Sequence, residues 1–353
     1  MIADGGSTLR QRTGAALLDL PNLLWGLRPS LWRSRAGPPW LHVRNRGERV
    51  VMGPDKEGVR CDWQWTSTLH VARVFPWAGT LLMRRALREW PIAFCDTPAP
   101  FDGVPDVSFL IGHRGLERAP LLLATLGSIA AQQNVTLECI VVEQADDPAV
   151  RDLLPAWVRY RHTPLAAPGL PYCRSWAFNV AAREARGRLL VFHDNDMVVP
   201  RGYAAELLRQ ASRGFEVLNL KRFIFYMPPE YAEQLVKSGR ALVGTPESVI
   251  QNAEAGGSVA ATPEAFDGIG GFDESFVGWG GEDNEFWERV QARRVYPHGY
   301  LPIVHLWHRP QPLKASATNQ TYLRLSGVPA DERIAALRAR PRGSLDGPWA
   351  GRR

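Results

Sequence analysis

From residue 107 onward, apolar runs of strand length alternate with longer stretches of helical period, and that order admits few folds. "VSFLIG" (107–112), "LECIVVEQ" (137–144) and "RLLVFHDND" (188–196) read as strands, while "LERAPLLLATLGSIAAQ" (116–132) and "SWAFNVAAREA" (175–185) read as helices. Alternation of this kind points to a parallel sheet covered by helices. In an open sheet, ligands collect beyond the carboxyl ends of the strands. Each predicted strand ends in polar residues, "GHRG" at 112–115, "EQADD" at 143–147 and "HDND" at 193–196, which are expected to line one crevice.

At 353 residues and 45% hydrophobic content the chain can hold one large α/β domain with additions, or two domains. Residues 1–45, rich in Gly, Pro, Ser and Arg, read as a flexible basic arm. Residues 46–104 read as a small accessory element: short strands through "ERVVMGPDKEGVRCDWQW" and "LHVARVF", a helix at "TLLMRRALREW", and the proline-rich linker "CDTPAPFDGVPD". The α/β block then runs over 105–312, and 313–353 is expected to be a C-terminal helix with a disordered tail.

Cys61, Cys95, Cys139 and Cys173 form no C-x-x-C pair, which argues against a zinc knuckle or a disulfide framework and fits a reducing, cytoplasmic setting. Asp19 and Pro21 interrupt the first apolar segment, so neither a signal peptide nor a spanning helix is expected there. Residues 1–100 hold 14 Lys+Arg against 8 Asp+Glu, the whole of the chain's net charge of +6, together with seven of its 13 tryptophans. A basic, aromatic surface of this kind suits peripheral contact with anionic lipid at the inner face of a membrane, or with a polyanionic glycan. A solvated arginine-rich face over a small Trp-containing core is the plainer account. No nucleic-acid motif accompanies the charge, and no nucleic-acid partner is expected.

Three clusters carry chemistry. In the first, Asp194 and Asp196 close an apolar strand; strand alternation would put both carboxylates on one face, where they repel unless a cation sits near them. A solvated turn would also explain such a pair. The second is "GWGGEDNEF" (278–286), where Gly280 and Gly281 free the backbone to approach a ligand and Glu282, Asp283 and Asn284 open a helix beside Trp279. An aromatic face next to carboxylates suits binding and deprotonation of a sugar hydroxyl, whereas an ordinary helix start would use Asp283 or Asn284 as its cap. The third is "PIVHLWHRP" (302–310), whose His305 and His308 share one ion only if the chain bends between them.

"IGHRGLER", "VVEQADD", "FHDNDM" and "GGSVAATPEAFDGIGGFDESFVGWGGEDNEF", in this order and spacing, resemble the β-1,4-galactosyltransferase type of GT-A glycosyltransferase and related bacterial inverting transferases, over about residues 105–310. The resemblance implies an α/β fold of Rossmann-like GT-A type, a mostly parallel sheet with helices on both faces, preceded by a small N-terminal accessory element. It implies donor-binding roles for Arg114, Glu143, Gln144, Asp194, Asp196 and Trp279. Trp279, Gly281, Glu282, Asp283 and Asn284 would meet the acceptor. Asp283 would be the catalytic base with Glu282 beside it, and Asp196, His305 and His308 would hold Mn²⁺ or another divalent cation such as Mg²⁺. His305 stands where the animal enzymes carry methionine.

The implied reaction is metal-dependent transfer of a hexose, galactose being the first candidate, from a UDP-sugar to a hydroxyl of a glycan or glycolipid in bacterial surface polysaccharide synthesis. Relatives that retain configuration place asparagine where this chain has Asp283, which favours inversion. A retaining transferase, and a carbohydrate- or nucleotide-sugar-binding scaffold without turnover, are the alternatives.

Overall fold

The computed structural model describes residues 8–28, 37–165, 169–251, 256–278, 280–309 and 320–345. Two compact units emerge, one drawn from Ala93–Asn219, Glu254–Tyr296 and His308–Arg353, the other from Met1–Ile92, Leu220–Ala253 and Pro297–Trp307. The expected contiguous boundaries at 46–104 and 105–312 differ from this division, because strand pairing, which composition does not register, draws residues 220–251 and 297–307 into the unit that contains the N-terminal segment.

The larger unit is built on a seven-stranded sheet of β1 (Val107–His113), β2 (Leu137–Gln144), β3 (Val158–Thr163), β4 (Leu189–His193), β5 (Val217–Leu218), β6 (Ser258–Ala261) and β7 (Val295–Tyr296). Its spatial order is β7-β5-β6-β4-β1-β2-β3, and β6 alone runs against its neighbours. The sheet is therefore mostly parallel, as the strand–helix alternation implies. Residues in β2 and β4 are buried throughout, which is why these strands read as unbroken apolar runs rather than alternating ones. β3 was not among the expected strands, since "VRYRHT" is only half-buried and carries two arginines.

Helix α1 (Ala119–Ala130) follows β1, and α2 (Arg174–Glu184) packs on β1 and β2. Helix α3 (Glu282–Val290) joins them through five phenylalanines: Phe178 on α2, Phe192 on β4, Phe286 on α3, and Phe266 and Phe272 between. Phe272 and Phe286 stack at 4.1 Å. Each ring buries most of a large apolar surface, roughly 2–3 kcal/mol apiece by area. The cluster locks together three elements that end in charged residues. Beneath α3, Arg289 is fully buried on Glu285 (2.6 Å) and the carbonyls of Ile269 and Gly271, so its charge is wholly matched.

The C-terminal part is helical as expected, at Gln320–Leu325 and Ala330–Arg338. The start of the expected disordered tail is instead held in place: Ser344 accepts a hydrogen bond from the Trp176 indole (2.7 Å) while Gly343 donates to Glu274 (2.6 Å). Gly343 has a positive φ of 62° against the Asn179 backbone, so glycine is what the contact admits. The remainder of the tail lies outside the described residues.

In the other unit, Lys221–Tyr226 pairs antiparallel with Ser248–Gln251 and parallel with Leu301–His305. Arg49–Met52 and Val59–Asp62 form the expected hairpin, bridged to Gly299. "LHVARVF" holds a helix (His70–Val74) instead of a strand, and Pro76–Glu89 is helical as expected. Nor is the first segment a loose arm. Residues 9–26 form a continuous helix with a π-helical turn at Ala15–Asp19, and Leu23 and Trp40 are fully buried. Arg222 explains the anchoring: fully buried, it donates to the backbone carbonyls of Leu41 (2.6 Å) and Val43.

Candidate active site

Strand order reverses between β1 and β4, and the crevice beyond their carboxyl ends is where an open sheet of this type binds ligand. The two ends are tied there. Asn195 donates to His113 Nδ1 at 2.8 Å, and His113 Nε2 donates to the Gly115 carbonyl at 3.0 Å. This pattern uses the neutral imidazole, in keeping with the burial that lowers the His113 pKa.

Strand β4 stops at His193, so Asp194 to Asp196 form a turn and strand alternation does not govern them. The two carboxylates consequently serve different partners. Asp194 accepts from Arg174 Nε (2.8 Å) and Nη2 (2.6 Å). Asp196, almost fully buried, faces His308 Nε2 at 3.4 Å and Arg118 at 3.7 Å.

Arg174 is the residue that sequence reasoning missed. It opens α2, where a cation opposes the helix dipole and no side chain caps the end. Its guanidinium sits over the Phe178 ring at 4.6 Å, grips Asp194, hydrogen-bonds Asp283 through Nη1, and lies 3.7 Å from Glu282. Two sequence clusters, 194–196 and 282–284, therefore meet at one arginine. The only local signal was an arginine at a helix start that lacks Ser, Thr, Asp or Asn as its cap.

Three carboxylates around one guanidinium cannot all be balanced. Burial, reinforced by the neighbouring Asp283 charge and opposed by Arg174, pushes the Glu282 carboxyl up to about 7. Its Oε2 has no hydrogen-bond partner. Gln144 Nε2, Tyr172 Oη and Ser175 Oγ are buried and unbonded as well. They gather around one turn, since Gln144 Oε1 accepts from the Cys173 amide at 2.7 Å and Tyr172 and Ser175 flank Cys173 and Arg174. Each such atom costs about 1–3 kcal/mol, which a polar ligand with complementary groups recovers.

Other expected site residues are placed differently. Glu143 is fully buried, and its carboxylate accepts from the Ala149 and Val150 amides (3.1 and 3.3 Å) and the Tyr160 hydroxyl (2.5 Å), so it anchors the loop after β2 instead of facing a ligand. Arg114 is half-buried and donates to the Leu170 carbonyl at 2.6 Å. Helix α3 is capped by Gly281 with no side-chain bond, so neither Asp283 nor Asn284 is its cap; Asp283 is its second residue and Asn284 is exposed. Gly281 has φ 89°, and a Cβ there would meet Tyr322 Cβ at 2.6 Å, so the glycine is required by packing beneath it. Gly256, also at positive φ, would bring a Cβ to 3.1 Å from Asp283 Oδ2. Trp279 lies outside the described residues.

His308 Nδ1 lies 2.9 Å from the Arg309 carbonyl, and its Nε2 faces Asp196 at 3.4 Å. An imidazole oriented by a carbonyl and facing a carboxylate is a donor set that fits a divalent cation. His305 ends its strand three residues earlier, its ring stacked on Tyr226 at 4.2 Å, and residues 306–309 lie outside the strand.

The segment 116–237 matches the model of glycosyl transferase family 2, and 249–304 matches that of the N-terminal domain of galactosyltransferase. Both matched models are of glycosyltransferases, and the chain is a glycosyltransferase. Solved structures similar to this glycosyltransferase include the catalytic domain of Drosophila β1,4-galactosyltransferase 7 in complex with xylobiose (18% identity, TM-score 0.33, 59% of this chain and 66% of that one). A second is GalNAc-T7 with UDP, GalNAc and Mn²⁺ (14%, 0.44, 65% and 50%). A third is the mannosyltransferase PcManGT from Pyrobaculum calidifontis in complex with GDP-Man and Mn²⁺ (18%, 0.40, 75% and 81%). The glycosyltransferase thus spans less than two thirds of the second of these chains and about two thirds of the first. No curated protein sequence matches it. Among its described residues no helix is long and apolar enough to cross a membrane.

Proposed function

We propose that this glycosyltransferase is a divalent-metal-dependent, inverting hexosyltransferase that moves a sugar, galactose or another hexose, from a UDP-sugar to a hydroxyl of a glycan or glycolipid in bacterial polysaccharide synthesis. The observation that carries the reading is the Arg174 bridge, which holds Asp194 and Asp283 on one guanidinium beside four unbonded buried polar atoms. Asp194 and Gln144 would bind the donor, and Arg174 would position Asp194 and Asp283. Asp283 would take the proton from the acceptor hydroxyl as that oxygen attacks the anomeric carbon and the bond to UDP breaks on the opposite side. Glu282, protonated near neutrality, would donate a hydrogen bond to the acceptor. Asp196 and His308 would hold the cation, and the family resemblance implies His305 as a further ligand. When bound, that cation supplies charge neutralisation for the diphosphate leaving group.

The test is UDP release from a UDP-hexose, followed by the anomeric configuration of the product. Inversion from an α-linked donor gives a β-linkage, and an α-linked product overturns the assignment of Asp283 as base. Chelation should abolish turnover and Mn²⁺ restore it, whereas full activity in chelator removes the metal from the proposal.

A further inference from the structure

The helix over residues 9–26 is apolar on both of its faces. Ala15, Asp19, Leu23 and Gly26 point inward, at steps of four, four and three residues. Asp19 is held there by the His70 ring at 2.9 Å and the Arg46 amide at 3.1 Å, and a Cβ on Gly26 would meet Val43 Cγ2 at 2.3 Å. That face is packed. The opposite face carries Leu17, Leu18, Leu24 and Trp25, exposed at 69%, 56%, 52% and 46%. A surface helix of a globular protein places polar residues on that side.

Among the described residues 8–28, the exposed charge is of one sign. Arg10, Arg12 and Arg28 are exposed at its two ends, and Arg28 lies 4.8 Å over the Trp25 ring. Within residues 8–28 the one acidic residue is Asp19, which points inward. Leucines and a tryptophan between arginines, without an exposed carboxylate, form the combination that lies in the headgroup region of an anionic bilayer: the apolar chains enter the acyl boundary and the guanidiniums meet phosphates. A protein partner would need an acidic, apolar groove of matching shape, whereas a lipid surface needs only this pattern.

We propose that the outward face of the 9–26 helix docks this glycosyltransferase on an anionic phospholipid surface, with Leu17, Leu18, Leu24 and Trp25 entering the interface and Arg10, Arg12 and Arg28 binding headgroup phosphates. Docking does not depend on the donor, the metal or the stereochemistry of transfer.

The experiment is co-sedimentation of the full chain with vesicles of phosphatidylcholine alone and with about 30% phosphatidylglycerol, at about 0.05 and 0.5 M salt. The wild type should sediment with the anionic vesicles at low salt. The triple variant Arg10→Gln/Arg12→Gln/Arg28→Gln should weaken partition by roughly 10²-fold, and Leu17→Gln/Leu18→Gln/Leu24→Gln by at least about tenfold. Melting temperature and UDP release measured alongside separate a lost surface from a lost fold. Should the triple leucine variant melt early, Leu17→Gln and Leu24→Gln singly carry the test, each costing roughly several-fold. The proposal is overturned if the wild type ignores anionic vesicles at low salt, or if the leucine variants bind like the wild type. It is equally overturned if sedimentation velocity shows the same substitutions abolishing a dimer that does not bind vesicles, which would assign the face to a second copy of the chain.

Discussion

Glu143 and Asp194 occupy equivalent places in the sequence pattern, each a carboxylate at or just beyond the carboxyl end of a buried parallel strand, yet they do different work. Glu143 is saturated by two backbone amides and a tyrosine hydroxyl of its own fold. Asp194 shares a single guanidinium with Asp283, and both remain partly exposed on a crevice containing unbonded polar atoms. A polar residue at a strand end thus becomes a loop anchor or a ligand group according to whether the protein itself completes its hydrogen bonds. The variants below are ordered by the size of the effect they should produce on that contrast.

The largest is at Asp283. Asp283→Asn keeps the shape and can still accept from Arg174, but cannot take a proton; turnover should fall on the order of 10²- to 10⁴-fold with donor affinity nearly unchanged. Wild-type turnover in this variant would sink the proposed base. Because Gly281 caps α3, Asp283→Ala removes no cap but loses the Arg174 hydrogen bond and a favourable dipole contact, and should cost about 1–3 kcal/mol in the melt, along with activity.

The contrast itself is tested next. Glu143→Ala leaves buried donors unpaired and should cost about 3 kcal/mol of stability while the folded fraction binds UDP normally. Asp194→Asn should do the reverse, with a melt close to wild type and donor binding in calorimetry weaker by roughly tenfold. If Glu143→Ala impairs donor affinity at full folding, the two strand ends are alike after all.

The smallest effect is a pH slope. Glu282 has a folded pKa of about 7 against an ordinary 4.5, so between those values the folded chain binds the extra proton and stability must fall as pH rises. Glu282→Gln should flatten that decline in denaturant titrations from pH 5 to 8. A steeper loss of turnover in Glu282→Gln than in Asp283→Asn would move the base role to Glu282.

Much of the candidate site was legible because its signals are local. Apolar runs ending in "HDND" and "EQADD" marked the crevice side of the sheet, and the glycine-flanked carboxylates marked the start of α3. What was not legible depended on partners far along the chain. Arg174 reaches Asp283 across 109 positions, and nothing near it in sequence announces that contact. The helical content of the first segment was hidden for a similar reason: its inward face is apolar only through Ala15, Leu23 and Gly26, and its anchors Trp40 and Arg222 lie elsewhere in the chain.

The sequence by itself determined the strand–helix order, the end of the sheet that carries chemistry and the residue types available there, because solvent periodicity and strand termination are properties of a few consecutive residues. Tertiary structure alone decided which carboxylates are spent on the fold, that Asp283 is not a cap, and that residues 220–251 and 297–307 join the N-terminal segment. The physical reason is that a buried charge is fixed by the sum of its partners, and those partners are assembled only when the chain has folded.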